Sequence, residues 1–152
     1  MKKLLSIAAL SLLTLSSLLT APSQAATATG QFDVTINLTS ACKYTKTSDV
    51  AFNYTSLQTG AQAQTTSGGF TVQCTNSLPY TLALDGGPGL TTSYTAIGLN
   101  YDLTLSAGGA TGNGLAQTYG VTGSIGAGQA GTCATSGSAC VSTSARTLTI
   151  SY

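Results

Sequence analysis

The sequence predicts an all-β fold, an antiparallel β-sandwich, on three observations. Through most of the chain apolar residues alternate with Thr, Ser, Asn or Gln, the period of a strand with one face in a core and the other in water. Glycine clusters punctuate the alternating segments at Gly68-Gly69, Gly86-Gly87-Pro88-Gly89, Gly108-Gly109 and Gly112-Asn113-Gly114; they supply the positive φ angles that tight connections need. Helical periodicity is nearly absent.

Seven segments carry the pattern in chain order: Phe32-Val34-Ile36-Leu38, Val50-Phe52-Tyr54, Phe70-Val72-Cys74, Leu78-Tyr80-Leu82-Leu84, Ile97-Leu99-Tyr101-Leu103-Leu105, Tyr119-Val121 leading to Ile125, and Leu148-Ile150-Tyr152. Short strands with turns between them, in one domain of ordinary size, give a sandwich before a closed barrel. The strands are too short, and the chain too small, for a membrane barrel of the usual kind.

Composition narrows the function. Only 6% of the 152 residues are charged, with 5 Lys+Arg, 4 Asp+Glu and no His, against about 25% charged in an ordinary soluble domain. With neither histidine nor glutamate, no Ser-His-Asp or Cys-His arrangement can form, so the chain reads as no enzyme. A net charge of +1 lacks the clustered cations that neutralise phosphates, so nucleic acid is not an expected partner. At 42% hydrophobic, the chain is also unlike a disordered tail.

Residues 1–25 read as a cleaved secretory signal peptide. Lys2 and Lys3 precede an apolar stretch, Leu4 to Leu19, and Pro22 leads into the small-residue ending Ser23-Gln24-Ala25. No second run approaches membrane-spanning length, so no stable membrane span is expected. The mature chain from Ala26 holds Lys43, Lys46 and Arg146 against Asp33, Asp49, Asp85 and Asp102, a balance of −1.

Export makes the cysteines a disulfide framework. Cys42, Cys74, Cys133 and Cys140 allow three pairings, of which Cys42 with Cys74 and Cys133 with Cys140 is favoured. The first ties the start of the domain to the strand ending at Cys74; the second clips a short hairpin with Gly137 near its tip. On the chain-entropy model these loops are worth about 3.5 and about 2.5 kcal/mol. A zinc site is the weaker alternative, there being no CxxC and no His. Other constellations are poor. Asp85 in a turn and Asp102 on a polar strand face make an unconvincing glycosidase pair, and the scattered Asp residues do not gather the oxygens calcium needs. The glycine loops lack the GK[ST] of a phosphate cradle. Asn37-Leu-Thr39 and Asn53-Tyr-Thr55 match a glycosylation sequon, common by chance in a Thr-rich chain. Neither a metal nor a cofactor is expected.

The two ends turn the fold into a functional expectation. Leu148-Thr-Ile-Ser-Tyr152 alternates up to the last residue, so the neighbour position of that strand is filled from elsewhere in the chain or left open. Near the other end, Phe32, Val34, Ile36 and Leu38 form an alternating strand that either folds back on its own sheet or fills such a groove in another copy. Burying those four side chains at roughly 1.5–3 kcal/mol each gives about 6–12 kcal/mol before ordering costs.

A resemblance decides between these readings. The run Ala28-Thr-Gly-Gln-Phe-Asp-Val-Thr-Ile-Asn-Leu-Thr-Ser-Ala-Cys42, then Gly69-Phe-Thr-Val-Gln-Cys74, Tyr80-Thr-Leu-Ala-Leu-Asp-Gly-Gly87, Leu99-Asn-Tyr-Asp-Leu103, Gly112-Asn-Gly114 and Tyr119-Gly-Val-Thr-Gly-Ser-Ile-Gly-Ala-Gly-Gln129 resembles the spore coat protein U domain family, which includes pilin subunits of archaic chaperone-usher pili. Each piece is weak alone; their order and spacing carry the likeness. The departure is at Gly131-Thr-Cys133, where this chain opens an extra Cys133 to Cys140 loop in place of the family's Gly-x-Tyr step.

The resemblance implies an incomplete immunoglobulin-like antiparallel β-sandwich lacking its last strand, spanning residues 40–152 and completed by a donor strand. Residues 26–39 are then the donor segment, with Phe32, Val34, Ile36 and Leu38 entering the groove of the next subunit. Leu148, Ile150 and Tyr152 line the edge that a periplasmic chaperone holds until an outer-membrane usher exchanges it. Such a contact is head to tail and propagates as a fibre of copies or related pilins. The implied route runs through the inner membrane and periplasm to a surface fimbrium or secreted fibre, and one domain of this size suits a shaft or adaptor subunit. The alternatives are a spore or cyst coat protein of the same family and a secreted monomeric sandwich that binds a ligand.

Overall fold

The structure, a computed structural model, describes residues 26–152; the signal-peptide expectation for residues 1–25 lies outside the described residues. The chain divides into two units, Met1–Ile36 and Asn37–Tyr152. In the first, the described residues 26–36 carry neither strand nor helix. The second is all-β among its described residues, with eight strands: β1 Cys42–Lys46, β2 Gln62–Cys74, β3 Pro79–Leu84, β4 Thr91–Ala96, β5 Leu99–Leu105, β6 Gly109–Thr111, β7 Ala116–Ile125 and β8 Leu148–Ser151.

The strands form a five-stranded sheet in the order β1-β2-β7-β5-β4 and a three-stranded sheet in the order β6-β3-β8. Every pairing is antiparallel, and the arrangement agrees with the immunoglobulin-like sandwich class. Alternation directs one face of each sheet inward. Phe70, Val72 and Cys74 of β2, Leu103 and Leu105 of β5 and Tyr119 of β7 meet Tyr80, Leu82 and Leu84 of β3 in a single buried cluster. Val72 and Leu105 are fully enclosed, and burying such a side chain contributes about 1.5–3 kcal/mol.

Both expected disulfides are present, Cys42 to Cys74 and Cys133 to Cys140. Cys42 and Cys74 stand directly opposite each other in the β1–β2 ladder, so this bridge staples an edge strand to the core strand beside it. The second closes a loop between β7 and β8.

Several sequence expectations need correction. Residues 26–41 belong to no strand, although Phe32 to Leu38 alternates cleanly. A strand exists only in a ladder, and alternation specifies a face without supplying a partner. Val50 to Tyr54 likewise joins no ladder, yet keeps its two faces: Val50, Phe52 and Tyr54 are half-buried, Ala51 and Asn53 exposed. It lies against β7 at Gly123, where a Cβ would run into Phe52 and Val50. Gly68-Gly69 is no turn. Gly69 and Phe70 both oppose Tyr119, so Gly69 at φ +40° makes a bulge that lets β2 continue to 13 residues. Gly108-Gly109 leads straight into β6, and Ile97-Gly98 is the tip of the β4–β5 hairpin instead of strand.

Candidate functional site

Four strands end a sheet, β1, β4, β6 and β8, and β8 is the edge that the sequence pattern singles out. Leu148, Thr149, Ile150 and Ser151 pair with Leu84, Ala83, Leu82 and Thr81 of β3. β8 ends the sheet order, so among the described residues no strand pairs with its outer side. Such an edge presents backbone N–H and C=O groups ready for a further strand. Its side chains suit the same purpose: Leu148 and Ile150 are half-buried against the core cluster, Thr149 and Ser151 face water, and Tyr152 is 62% exposed.

The Val50–Tyr54 segment also lacks a ladder, and its Val50 packs against the same core cluster. Phe52 of the Val50–Tyr54 segment packs its ring 5.8 Å from that of Tyr101 on β5. The Tyr101 hydroxyl accepts two hydrogen bonds from Arg146, at the root of β8. Phe52 and Arg146 therefore meet on one tyrosine.

The root of β8 is the most polar cluster near this edge. The Arg146 guanidinium lies 4.1 Å from the centroid of the Tyr94 ring, donates from Nε and Nη2 to Tyr101 Oη at 3.1 and 2.9 Å, and brings Nη1 to 3.8 Å from Asp85 Oδ2. The Tyr94 hydroxyl donates to the Asp85 backbone carbonyl and, at 3.0 Å, to Asp85 Oδ1. The bond to Tyr101 raises the Arg146 pKa above its ordinary value; burial, then the Asp85 hydrogen bond, raises that of Tyr94. Sequence reasoning missed Arg146. Its one signal was to be the sole arginine in a chain nearly without charge.

Of the remaining residues that the sequence pattern singles out, Phe32, Val34, Ile36 and Leu38 belong to neither sheet and are 87, 71, 84 and 82% exposed. Four large apolar side chains thus stand in water at every second residue along one segment, an exposed apolar stripe of a kind uncommon on a folded surface. The two carboxylates weighed for catalysis are engaged structurally: Asp85 in the Arg146 cluster, and Asp102 accepting from Ser93 Oγ at 2.5 Å. Among the described residues, no group of three or more His, Cys, Asp or Glu is placed to hold a metal, and no helix is long and apolar enough to cross a membrane.

Against known proteins, the sequence model of the Spore Coat Protein U domain matches residues 28–151. No curated protein and no solved structure matches. The chain belongs to the Spore Coat Protein U domain family, a family of structural coat and pilus proteins.

Proposed function

We propose, from this family membership and the open edge of β8, that the chain is a structural subunit of a surface or secreted fibre, an archaic chaperone-usher pilus, assembled by donor-strand complementation as a shaft or adaptor. The observation that carries the reading is the presence of two complementary features: a core-facing edge strand whose outer side is unladdered among the described residues, and a segment whose alternating Phe32, Val34, Ile36 and Leu38 stand exposed. Each supplies what the other lacks.

The assembly follows from ordinary strand physics. Before export is complete, a periplasmic chaperone lends a strand to the β8 edge, in contact with Leu148, Ile150 and Tyr152, and so shields it from non-specific pairing. At an outer-membrane usher the segment 26–39 of the next subunit replaces that strand. Its four apolar side chains enter between β8 and Val50–Tyr54. Their burial contributes about 6–12 kcal/mol before ordering costs, with backbone hydrogen bonds added. The residue types of the segment suit insertion, since its one charge, Asp33, lies on the face opposite the apolar one. No bond is made or broken, so the reading needs no catalytic residue.

The test is Ile36→Asp. A carboxylate inserted unpaired into an apolar groove is costly, so the variant should accumulate with its chaperone yet give no ladder of polymers on unboiled SDS gels, where the parent chain does. Normal ladders from the variant would sink the donor assignment. A coat protein of the same family remains the second reading, favoured by the family's own description. It shares the assembly physics, and immunogold labelling of intact cells separates a thin fibre from a continuous layer.

A further inference from the structure

We propose that Arg146 is a positioning residue for strand uptake, pinning the register of β8 so that its outer edge offers backbone groups in the one phase an incoming strand can use. The inference rests on the strand-acceptor reading of β8 and deepens it.

The problem Arg146 solves is set by the length of β8. The strand has four residues and one ladder. Because side chains alternate, a slip of one residue along β3 would turn Leu148 and Ile150 to water and Thr149 and Ser151 to the core. Leu148 and Ile150 are only half-buried, so the hydrophobic pattern alone specifies the register weakly. Among the described residues no strand pairs with the other side of β8, so no second ladder completes the specification.

Arg146 stands two residues before Leu148 and ties the root of the strand to both sheets. It reaches β5 through the fork of Nε and Nη2 on Tyr101 Oη, and β4 by stacking on Tyr94. It reaches the end of β3 through Asp85, the residue after Leu84. Asp85 closes the loop: its backbone N–H donates to the Thr147 carbonyl at 2.9 Å, while its carboxylate is held by the Tyr94 hydroxyl. A one-residue slip moves the Arg146 backbone by about 3.3 Å, which parts the fork and the stack together. Lysine cannot substitute, since an ammonium on a flexible stem offers neither a planar face for Tyr94 nor two fixed donors for one oxygen.

The test follows amide hydrogen exchange at β8 and at β3–β6 in the full chain, for the parent, Arg146→Gln, Arg146→Lys and Tyr101→Phe. On the same samples a synthetic peptide of residues 28–40, carrying a photo-crosslinker in place of Ile36, is mapped by mass spectrometry. Arg146→Gln should speed exchange at β8 at least tenfold while β3–β6 is unchanged, and Arg146→Lys should do nearly the same. Tyr101→Phe, which removes only the accepting oxygen, should give a smaller loss in the same place; it decides the matter if the arginine variants fail to fold. The crosslink should fall on one β8 residue in the parent and spread to its neighbours in Arg146→Gln. Unchanged β8 exchange, full rescue by lysine, or acceleration spread evenly through both sheets overturns the pin. Refusal of the peptide by the parent chain overturns the acceptor reading instead, and the exchange data still decide the pin.

Discussion

Inside the sandwich, three side chains make a polar bridge between the sheets. Tyr80 Oη donates to Gln117 Oε1 at 2.8 Å and shares a 2.5 Å hydrogen bond with Tyr119 Oη, so Tyr119 supplies that proton; Gln117 Nε2 in turn donates to the Thr111 carbonyl. The rings pack edge to face, 6.4 Å apart. Burial raises the Tyr80 phenol well above its ordinary range. That direction sets the sign of the pH effect. Below about pH 10, the ordinary phenol value, the phenol is neutral folded or unfolded, and its contribution is fully present. Above that pH the unfolded chain ionises Tyr80 and the folded one does not, so stability falls as pH rises toward the folded-state pKa. Urea unfolding at pH 8 and at pH 10.5 should show that fall, and Tyr80→Phe should reduce it, leaving the share that the raised phenol of Tyr94 contributes. The same change should lower stability at pH 8 by about 1–3 kcal/mol, because Gln117 and Tyr119 lose a buried partner. A parent curve that is flat between the two pH values would contradict the assignment. Leu105, fully enclosed between the sheets, bears on packing alone. Its replacement by Ala should cost about 2–5 kcal/mol, with no change in that pH slope.

At the scale of elements, the segment Val50 to Tyr54 depends on what β7 omits. Gly123 is buried beneath Val50 and Phe52, and a side chain there has no room. Gly123→Val should therefore lift the segment off β7 and free the Tyr54 hydroxyl, which donates to the Gly126 carbonyl at 3.2 Å and accepts from Gln129 N–H at 2.9 Å. Faster proteolysis between residues 50 and 54, with β3–β6 exchange unchanged, is the expected result; equal cleavage of parent and variant would show that the segment stands without that gap. The same element shows how far a sequence can be read. β2, β3, β5, β7 and β8 were legible because Phe70, Leu82, Leu103, Tyr119 and Ile150 put large apolar groups on every second position of the core face. β4 escaped: its inward positions are Thr92, Tyr94 and Ala96 among other hydroxyls, a composition shared with loops. β1 has only Cys42 and Tyr44 to mark a face, and three-residue β6 is too short for any period. Val50 to Tyr54 shows the converse, since alternation reports a face and a ladder needs a partner. The edge residues Leu148, Ile150 and Tyr152 were legible as a pattern. Arg146 was not, because its role comes from Tyr94, Tyr101 and Asp85, between 45 and 61 residues away in the chain and brought together only by the crossing of two sheets.

For the whole molecule, the proposed contact joins two different surfaces of identical chains, and that asymmetry has a consequence no symmetric dimer shares. A heterologous contact leaves a free donor at one end and a free acceptor at the other, so growth continues without closure. A chain with Ile36→Asp keeps its β8 edge and loses its donor; a chain with Ile150→Asp keeps Phe32, Val34, Ile36 and Leu38 and loses its acceptor, since the aspartate meets the incoming apolar face. Neither variant should polymerise alone. Mixed in equal amounts, they have one productive contact available, the intact donor of the second in the intact acceptor of the first, and the resulting pair offers only a damaged donor and a damaged acceptor. Unboiled SDS gels and light scattering should show a 1:1 pair and nothing longer. Were the interface isologous, the parent chain itself would close as a dimer and give no ladder. Added below stoichiometry to the parent chain, the Ile36→Asp variant should occupy the exposed donor and shorten fibres in proportion to its share, as Ile150→Asp should from the opposite end. Long ladders from the mixed variants would mean that strands other than residues 26–39 and β8 carry the polymer.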